Sequence, residues 1–541
     1  MKHPLFLALL LSVAVTATAQ LKPRPDAFPP DGKESVDPKA VSMASSVSQM
    51  ASWDRYPTYS TYVAMMQQWA ADFPALCRLD TIGTSIQGRL ILCMEIAGNQ
   101  ADSTLPEFFY SSTIHGDEVT GYVMMLRLID TLLNGYGNNP QYTRLVNTTR
   151  IYINPLANPD GTYYQGNHTV QGSRRYNANN VDLNRNYPNP FGSSQSPLQP
   201  ENQAMINYVS SHHFRLSANL HGGAEVMNYP WDSFTSAQNP HPKSAWWQEV
   251  CKRFVDTART YSNNHFRDTY SCGYTAGGDW YVIDGGRQDY MNYYHNCLEL
   301  TMEISTTKTL SSNQLPTYWD FLQHSLVNYI EAIRLYEVTV GEDTAMGRVE
   351  GSGMYWEGDT VTMTAIPRDG YRFSHWNNGS TDNPQLFLVE SDTQWIAVFE
   401  PLQRYVVVDG NEGDTAGQLQ GCGTYWEGDS VTLRAQPYEG FRFSHWQDSV
   451  TDNPRRFVIT CDTVFTAYFV ADTGTHSAIV QGEAADDVRL YVHDGHIIVE
   501  ALEPTEVRVY DMMGREVLNS GLRKGVYLVR TGLSVRKVVV M

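Results

Sequence analysis

His115-Gly116-Asp117-Glu118 sets an imidazole and a carboxylate three residues apart across a glycine turn, close enough to share one metal ion. Alone the pair is weak. With 15 histidines in the chain, and glutamate at roughly one position in twenty, about one such spacing arises by chance, and a solvated turn would explain it. Support comes from His221, which closes the apolar run 216–220. Two histidines and one carboxylate, with a fourth position left to water, form the ligand set of a hydrolytic zinc site. Such a site needs a further carboxylate that is not a ligand, to take a proton from the attacking water. The stretch 297–305 offers one. Strand alternation puts Leu298, Leu300, Met302 and Ile304 on one face and Glu299, Thr301 and Glu303 on the other. Glu303 lies nearest the strand's C-terminal end and is the candidate base. Glu299, two turns of the pleat deeper, reads as the buried partner of a neighbouring charge. A cysteine hydrolase is set aside, because no cysteine sits at a strand end beside a suitable histidine.

These groups must converge from distant parts of the chain, so the elements between them matter. The segment 61–71 has a helical pattern, 77–82 and 90–96 form a hairpin, and 108–113 is a strand feeding a helix over 120–133. Further strands are expected at 150–153, 214–220 and 297–304, with a closing helix at 318–336. Strands alternating with helices imply an α/β domain on a largely parallel or mixed sheet, and open sheets of this kind carry functional groups at the strands' C-terminal ends. Ligands drawn from different strands of one sheet suit the long separation of Glu118 from His221.

The chain has 541 residues, too many for one compact domain. Lys and Arg number 39 against 58 Asp and Glu, a net charge of −19 without a basic block, which disfavours nucleic acid and other polyphosphate partners. Hydrophobic residues at 42% and aromatics at 12% are enough to build cores. Residues 1–19 read as a signal peptide ending Ala17-Thr18-Ala19, with the mature chain starting at Gln20; no later stretch is long and apolar enough to span about 30 Å of bilayer. The expected product is exported and not an integral membrane protein. Residues 20–51, rich in Pro, Ser, Lys and Asp, read as a leader or linker.

Taken together, His115, Glu118, His221 and Glu303 resemble the site of a zinc carboxypeptidase of the M14 clan, and more narrowly the regulatory subgroup that includes carboxypeptidases D, N, M and E. The resemblance covers about residues 56–338 and is carried further by 177–188, 216–230 and 285–305. It implies a carboxypeptidase-like mixed-sheet catalytic domain over 52–340, with one zinc on His115, Glu118 and His221 and Glu303 as general base and acid. It also implies that Arg175 polarises the scissile carbonyl, that Asn184 and Arg185 hold the substrate's terminal carboxylate, and that Tyr281 closes over it. An arginine fork pairs bidentately with a carboxylate, so such a site selects chain ends over internal bonds. Tyr290 is expected to be structural. By the same resemblance Asp232 and Gln288 match positions lining the specificity pocket of members that release Lys or Arg; the competing reading has Asp232 capping the turn after Pro230. Two other outcomes remain open at this point: a cell-wall peptide hydrolase of the same clan, and a surface adhesin whose catalytic domain has fallen silent.

Past residue 340 the helical pattern gives way to a repeat. Tyr355-Trp356-Glu357-Gly358-Asp359 recurs as Tyr425-Trp426-Glu427-Gly428-Asp429, and Phe373-Ser374-His375-Trp376 as Phe443-Ser444-His445-Trp446. Two tandem β-domains are expected, at 341–402 and 403–472, their aromatics serving as core. They resemble the Listeria–Bacteroides type of bacterial surface repeat, where the subgroup normally has a transthyretin-like domain. Ser352 and Ser391 of the first copy become Cys422 and Cys461 in the second, which predicts a disulfide between them. Cys77 with Cys93 across the hairpin is a second candidate pair; Cys251, Cys272 and Cys297 are left open. Residues 477–541, alternating strands and glycine turns, form a small β-domain that resembles the C-terminal sorting domain of the type IX secretion system of Bacteroidetes. That resemblance implies the type IX machinery as a partner and passage through the periplasm to the cell surface or the medium.

Overall fold

The computed structural model describes residues 40–192, 197–341, 344–472, 488–501, 506–531 and 534–540. The expected signal peptide and most of the leader lie outside the described residues. The chain forms two compact units: one of residues up to 340 with 351–363 and 384–395, the other of 341–350, 364–383 and 396–541.

The first unit is built on an eight-stranded mixed sheet. Its strands run in the order Cys77–Thr84, Leu90–Ile96, Arg150–Asn154, Glu107–Ser112, Phe214–His221, Leu298–Ser305, Ala224–Tyr229 and Tyr274–Ala276. The central strands Glu107–Ser112, Phe214–His221 and Leu298–Ser305 are mutually parallel, which delivers their C-terminal ends to one edge of the sheet. Ser112 lies opposite Leu220, and His221 opposite Glu303. Ala224–Tyr229 runs antiparallel to Leu298–Ser305; its six residues follow a glycine pair and were not anticipated as a strand.

Both faces are covered, as a parallel sheet core requires. On one side the helices Thr120–Gly135, Ser244–Tyr261 and Leu315–Glu331 pack on Leu300, Met302 and Ile304, all fully buried. Polar ties fix these helices: Tyr329 donates to the Ser217 carbonyl at 2.7 Å, and Ser325 to that of Phe254 at 2.8 Å. On the other side Phe109, Tyr152 and Phe214 meet Met205, Val209, Tyr290 and Met291 of the helices Pro200–Ser210 and Arg287–His295. Part of the expected leader belongs to the first of these cores, since Ala44 and Met50 are buried in the cluster that holds Leu300, Met302 and Ile304.

The strand Leu335–Val340 pairs with Gly353–Trp356 and Thr393–Trp395, so a sheet crosses the boundary expected at residue 340. The second repeat forms the matching sheet from Arg404–Asp409, Gly423–Trp426 and Thr463–Phe465. Trp376 and Trp446 are fully buried and donate to the carbonyls of Asp382 and Asp452, the core role expected of them. In the C-terminal segment, Val507–Asp511, Glu516–Val517, Gly525–Thr531 and Ser534–Val540 form a four-stranded sheet and Val488–His493 pairs with His496–Ala501.

All seven cysteines are free, which corrects both proposed disulfides. Cys422 and Cys461 precede strands that flank Arg404–Asp409 on opposite sides, two strand spacings of about 4.8 Å apart and beyond disulfide reach. Cys77 lies opposite Ile96 while Cys93 lies opposite Asp80, an odd offset that sends the two thiols to opposite faces of the hairpin.

Candidate active site

The strand Glu107–Ser112 ends in a tight turn, with Thr113 at φ 63°, before the helix that begins at Thr120. A Cβ on Gly116 would stand 2.4 Å from the Gly161 carbonyl carbon, so only glycine lets this loop lie flat and bring His115 and Glu118 together. His115 Nδ1 is 3.0 Å from Glu118 Oε2, His221 Nδ1 is 2.7 Å from the same oxygen, and the two Nδ1 atoms are 3.1 Å apart. Ligand atoms held at about 2.0–2.1 Å by tetrahedral zinc stand roughly 3.3 Å from one another, so two imidazoles and one carboxylate oxygen are spaced for that ion. Burial outweighs the pull of Glu118 and brings the His221 imidazole down to about 4, leaving it in the neutral form that ligates metal. For Glu118 burial opposes the charge, but His115 and His221 outweigh it and hold the carboxyl well below its usual range.

Outer contacts orient this cluster. Asp182 Oδ1 accepts from His115 Nε2 at 3.2 Å, and Oδ2 accepts from Arg175 Nε at 3.0 Å. Burial would raise the Asp182 carboxyl; His115, Arg175 and Arg185 overcome it and leave the group ionised. Asn219 presents its Nδ2 2.9 Å from His221 Nε2 and leaves its Oδ1 buried without a partner. Turned over, the amide supplies an acceptor for Nε2–H, the tautomer needed when Nδ1 faces the metal.

The cluster opens into a cavity of about 580 Å³. Every residue given a catalytic, metal-binding or substrate-binding role from sequence lines it except Gln288, which is buried and donates to Asp232 Oδ1 at 2.8 Å. Arg175 Nη1 lies 3.1 Å from His115 Nδ1 and 3.5 Å from Glu118 Oε1. Asn184 is anchored by its Oδ1, which accepts from the Arg287 backbone, and Arg185 donates to the Asn184 carbonyl. Tyr281 is 40% exposed at the rim, whereas Tyr290 is buried against Tyr187 and bonded to His295.

Glu303 is buried, its Oε2 has no hydrogen-bond partner, and burial followed by Glu118 pushes its carboxyl well above the usual range against Lys308 and Arg175. Asp232 is 4% exposed and does not face water; burial, then Asp289, raise its carboxyl, with Arg185 opposing. Four lining or supporting residues escaped the sequence reading: Asp182, Asn219, Asn228 and Lys308. Asp182 sits two residues before Asn184, the one positional hint among them. Lys308 bonds Asp117 at 3.1 Å and lies 3.6 Å from Glu118 Oε1.

A family model described as zinc carboxypeptidase matches residues 62–324, and one described as a divergent InlB B-repeat domain matches 336–403 and 410–473. Carboxypeptidase D of Anas platyrhynchos is 34% identical over 292 residues, 52% of this chain and 21% of that protein. Carboxypeptidase M of Mus musculus is 33% identical over 294 residues, covering 52% and 66% of the two chains. The carboxypeptidase N catalytic chain of Homo sapiens is 32% identical over 324 residues, 52% of this chain and 69% of that one. The chain thus spans about a fifth of the carboxypeptidase D relatives and two thirds of the shorter ones. With the His/Glu/His cluster at the head of a sheet of this order and these matches over the same residues, the chain belongs to the zinc carboxypeptidase family.

Proposed function

We propose that the site removes single residues from the C-termini of peptides and proteins, releasing Lys or Arg in preference to other residues. The observation that carries the reading is that one cavity holds the metal cluster, the Asn184–Arg185 corner and a buried Asp232. His115, Glu118 and His221 would hold zinc, which when bound supplies Lewis-acid polarisation and activates water at neutral pH. Arg185 and Asn184 take the terminal carboxylate, which places the last peptide bond beside Glu303. Glu303 accepts the proton of the attacking water and passes it to the leaving amine. Arg175 stabilises the charge that develops on the scissile carbonyl oxygen, and Asp182 holds that arginine in place. Tyr281 closes the rim over the bound chain end.

Asp232 gives the pocket its sign: a buried carboxylate hydrogen-bonded by the Gln288 amide, with no ion pair to a cation among the described residues, is matched by a cationic side chain and left uncompensated by an apolar one. Following peptides that differ only in their last residue by mass spectrometry tests the reading. Ladders shortened one residue at a time from the C-terminus, fastest on Arg and Lys, are expected; internal cleavage, or equal rates on Leu and Arg, would overturn it.

Export is the second part of the proposal. It rests on the segment 1–19 and on the β-rich segment from about 477, read as addresses for the inner membrane and for a type IX route; no helix among the described residues is long and apolar enough to cross a membrane. Removing the segment from 477 onward should leave active enzyme in the periplasm, and unchanged delivery to the medium would refute the route.

A further inference from the structure

A second pocket lies at the other end of the central strands, away from the metal cluster. Arg215 and Leu216, at the start of the strand Phe214–His221, form one wall with Leu298, which opens the strand Leu298–Ser305; Ile333 and Leu335, after the helix Leu315–Glu331, form the opposite one. Six residues separate Arg215 from His221, about 20 Å of extended strand, and the pocket shares no lining residue with the catalytic cavity. Its volume is about 180 Å³. Leu216, Trp246, Ile333 and Leu335 are all buried and give it an apolar floor. Charge gathers at the mouth. Lys243 pairs with Asp392 Oδ2, while Asp392 Oδ1 accepts from the Glu337 backbone at 2.8 Å. Arg215 has no carboxylate partner among the described residues. Its Nη1 donates to the Tyr336 hydroxyl at 2.7 Å, and its centre stands 4.5 Å from that of the Tyr336 ring, which fixes the plane of the guanidinium. Arg215 and Lys243 against Asp392 leave the lining with one net positive charge. Glu337 does not line the pocket, and burial raises its carboxyl against the pull of Lys243.

We propose that this pocket binds a small monocarboxylic acid with an aliphatic body, the carboxylate on Arg215 and the chain on Leu216, Ile333 and Leu335. A guanidinium held in one plane presents parallel N–H donors to the two oxygens of a carboxylate, and a lining with one surplus positive charge matches a single negative one. A volume of about 180 Å³ equals about six waters at roughly 30 Å³ each, room for a short branched chain and for little more. The apolar floor favours such a chain over a bare inorganic anion, because burying it removes hydrocarbon from water and leaves no buried polar group unpaired. The site is separate from the peptidase chemistry, since no metal-binding, catalytic or substrate-binding residue lines it.

Calorimetric titration of the whole protein with isocaproate, with its alcohol isohexanol and with acetate tests this. The catalytic cavity has a carboxylate-binding arginine of its own, so the titrations are made on Arg185→Met and on the double variant Arg185→Met, Arg215→Met. Isocaproate is expected to bind Arg185→Met at one site, with isohexanol and acetate each at least about tenfold weaker, and to bind the double variant at least about tenfold more weakly than Arg185→Met. No isocaproate binding to Arg185→Met would confine the acid to the catalytic cavity and overturn the proposal. Equal affinity for acid and alcohol, or an affinity that the loss of Arg215 leaves unchanged, would overturn it as well. Should the double variant fail to fold, the comparison of acid with alcohol on Arg185→Met decides the point alone: a preference for the acid supports the role of Arg215, and equal binding refutes it.

Discussion

Glu299 and Glu303 lie four residues apart on one strand, point to the same side of the sheet and are both buried with one oxygen unpartnered, yet only Glu299 has an ion-pair partner and only Glu303 lines the cavity. Glu299 is tied through one oxygen: Arg287 pairs with its Oε2 at 3.1 Å and Ser217 donates to the same atom at 2.7 Å, while Oε1 is buried without a hydrogen-bond partner. Glu303 faces a cavity with one oxygen unpartnered. The difference teaches that a carboxylate's role here is set by how far along the strand it sits. Deeper in the sheet Ser217 of the neighbouring strand and Arg287 of a covering helix hold the carboxyl, whereas Glu303, opposite His221 near the strand's end, faces the cavity.

The comparison breaks most visibly under matched substitutions. Glu303→Gln should retain metal and fold but lose kcat by roughly 10³- to 10⁴-fold, because proton transfer fails in both directions. Metal content read beside a peptidase assay checks this; substantial turnover would move the base elsewhere. Arg287→Met should act in the opposite sense, stranding a buried charge at Glu299 and costing about 3–5 kcal/mol of stability in denaturant unfolding, with little change in kcat per folded molecule. If it instead lowered kcat at full stability, the division between interior and edge would not hold.

Asp232→Ala sharpens the contrast within the cavity itself. It should cost about 2–5 kcal/mol in kcat/KM on peptides ending in Arg and leave those ending in Leu nearly unchanged. The smallest effect is expected at Asp182. Asp182→Asn keeps the size of the side chain but loses the acceptor that His115 and Arg175 share, and should weaken zinc binding by about 10- to 100-fold in competition with a chelator. Stripping the metal altogether should abolish activity, and zinc alone should restore it.

The sequence made the edge of the sheet legible and the interior only partly so. Strand alternation put Glu299 and Glu303 on one polar face, because a period of two is all that a buried strand requires, and only distance from the strand's C-terminal end set the two apart. The long strand-helix alternation likewise gave the main elements close to their observed bounds. The short strand Ala224–Tyr229 escaped because six residues after two glycines carry no period of their own, and Asn228 escaped with it. Asp182 and Lys308 act through contacts across long sequence separations, which spacing does not encode. The paired exchange of Ser352 and Ser391 for Cys422 and Cys461 misled, since residues two strands apart can change together without touching.

The strand Leu335–Val340 has a consequence for how the enzyme comes into being. It closes the catalytic unit, with the Leu335 carbonyl accepting from Trp246, but its own neighbours are Gly353–Trp356 and Thr393–Trp395. Chains emerge from the ribosome N-terminus first, and a unit can complete only when its last partner has been made. The unit therefore stays unfinished until residue 395 is available, 64 residues after Glu331 ends its last long helix. A chain cut short between residues 340 and 392 would carry His115, Glu118 and His221 and still leave the Leu335–Val340 strand without its Thr393–Trp395 neighbour.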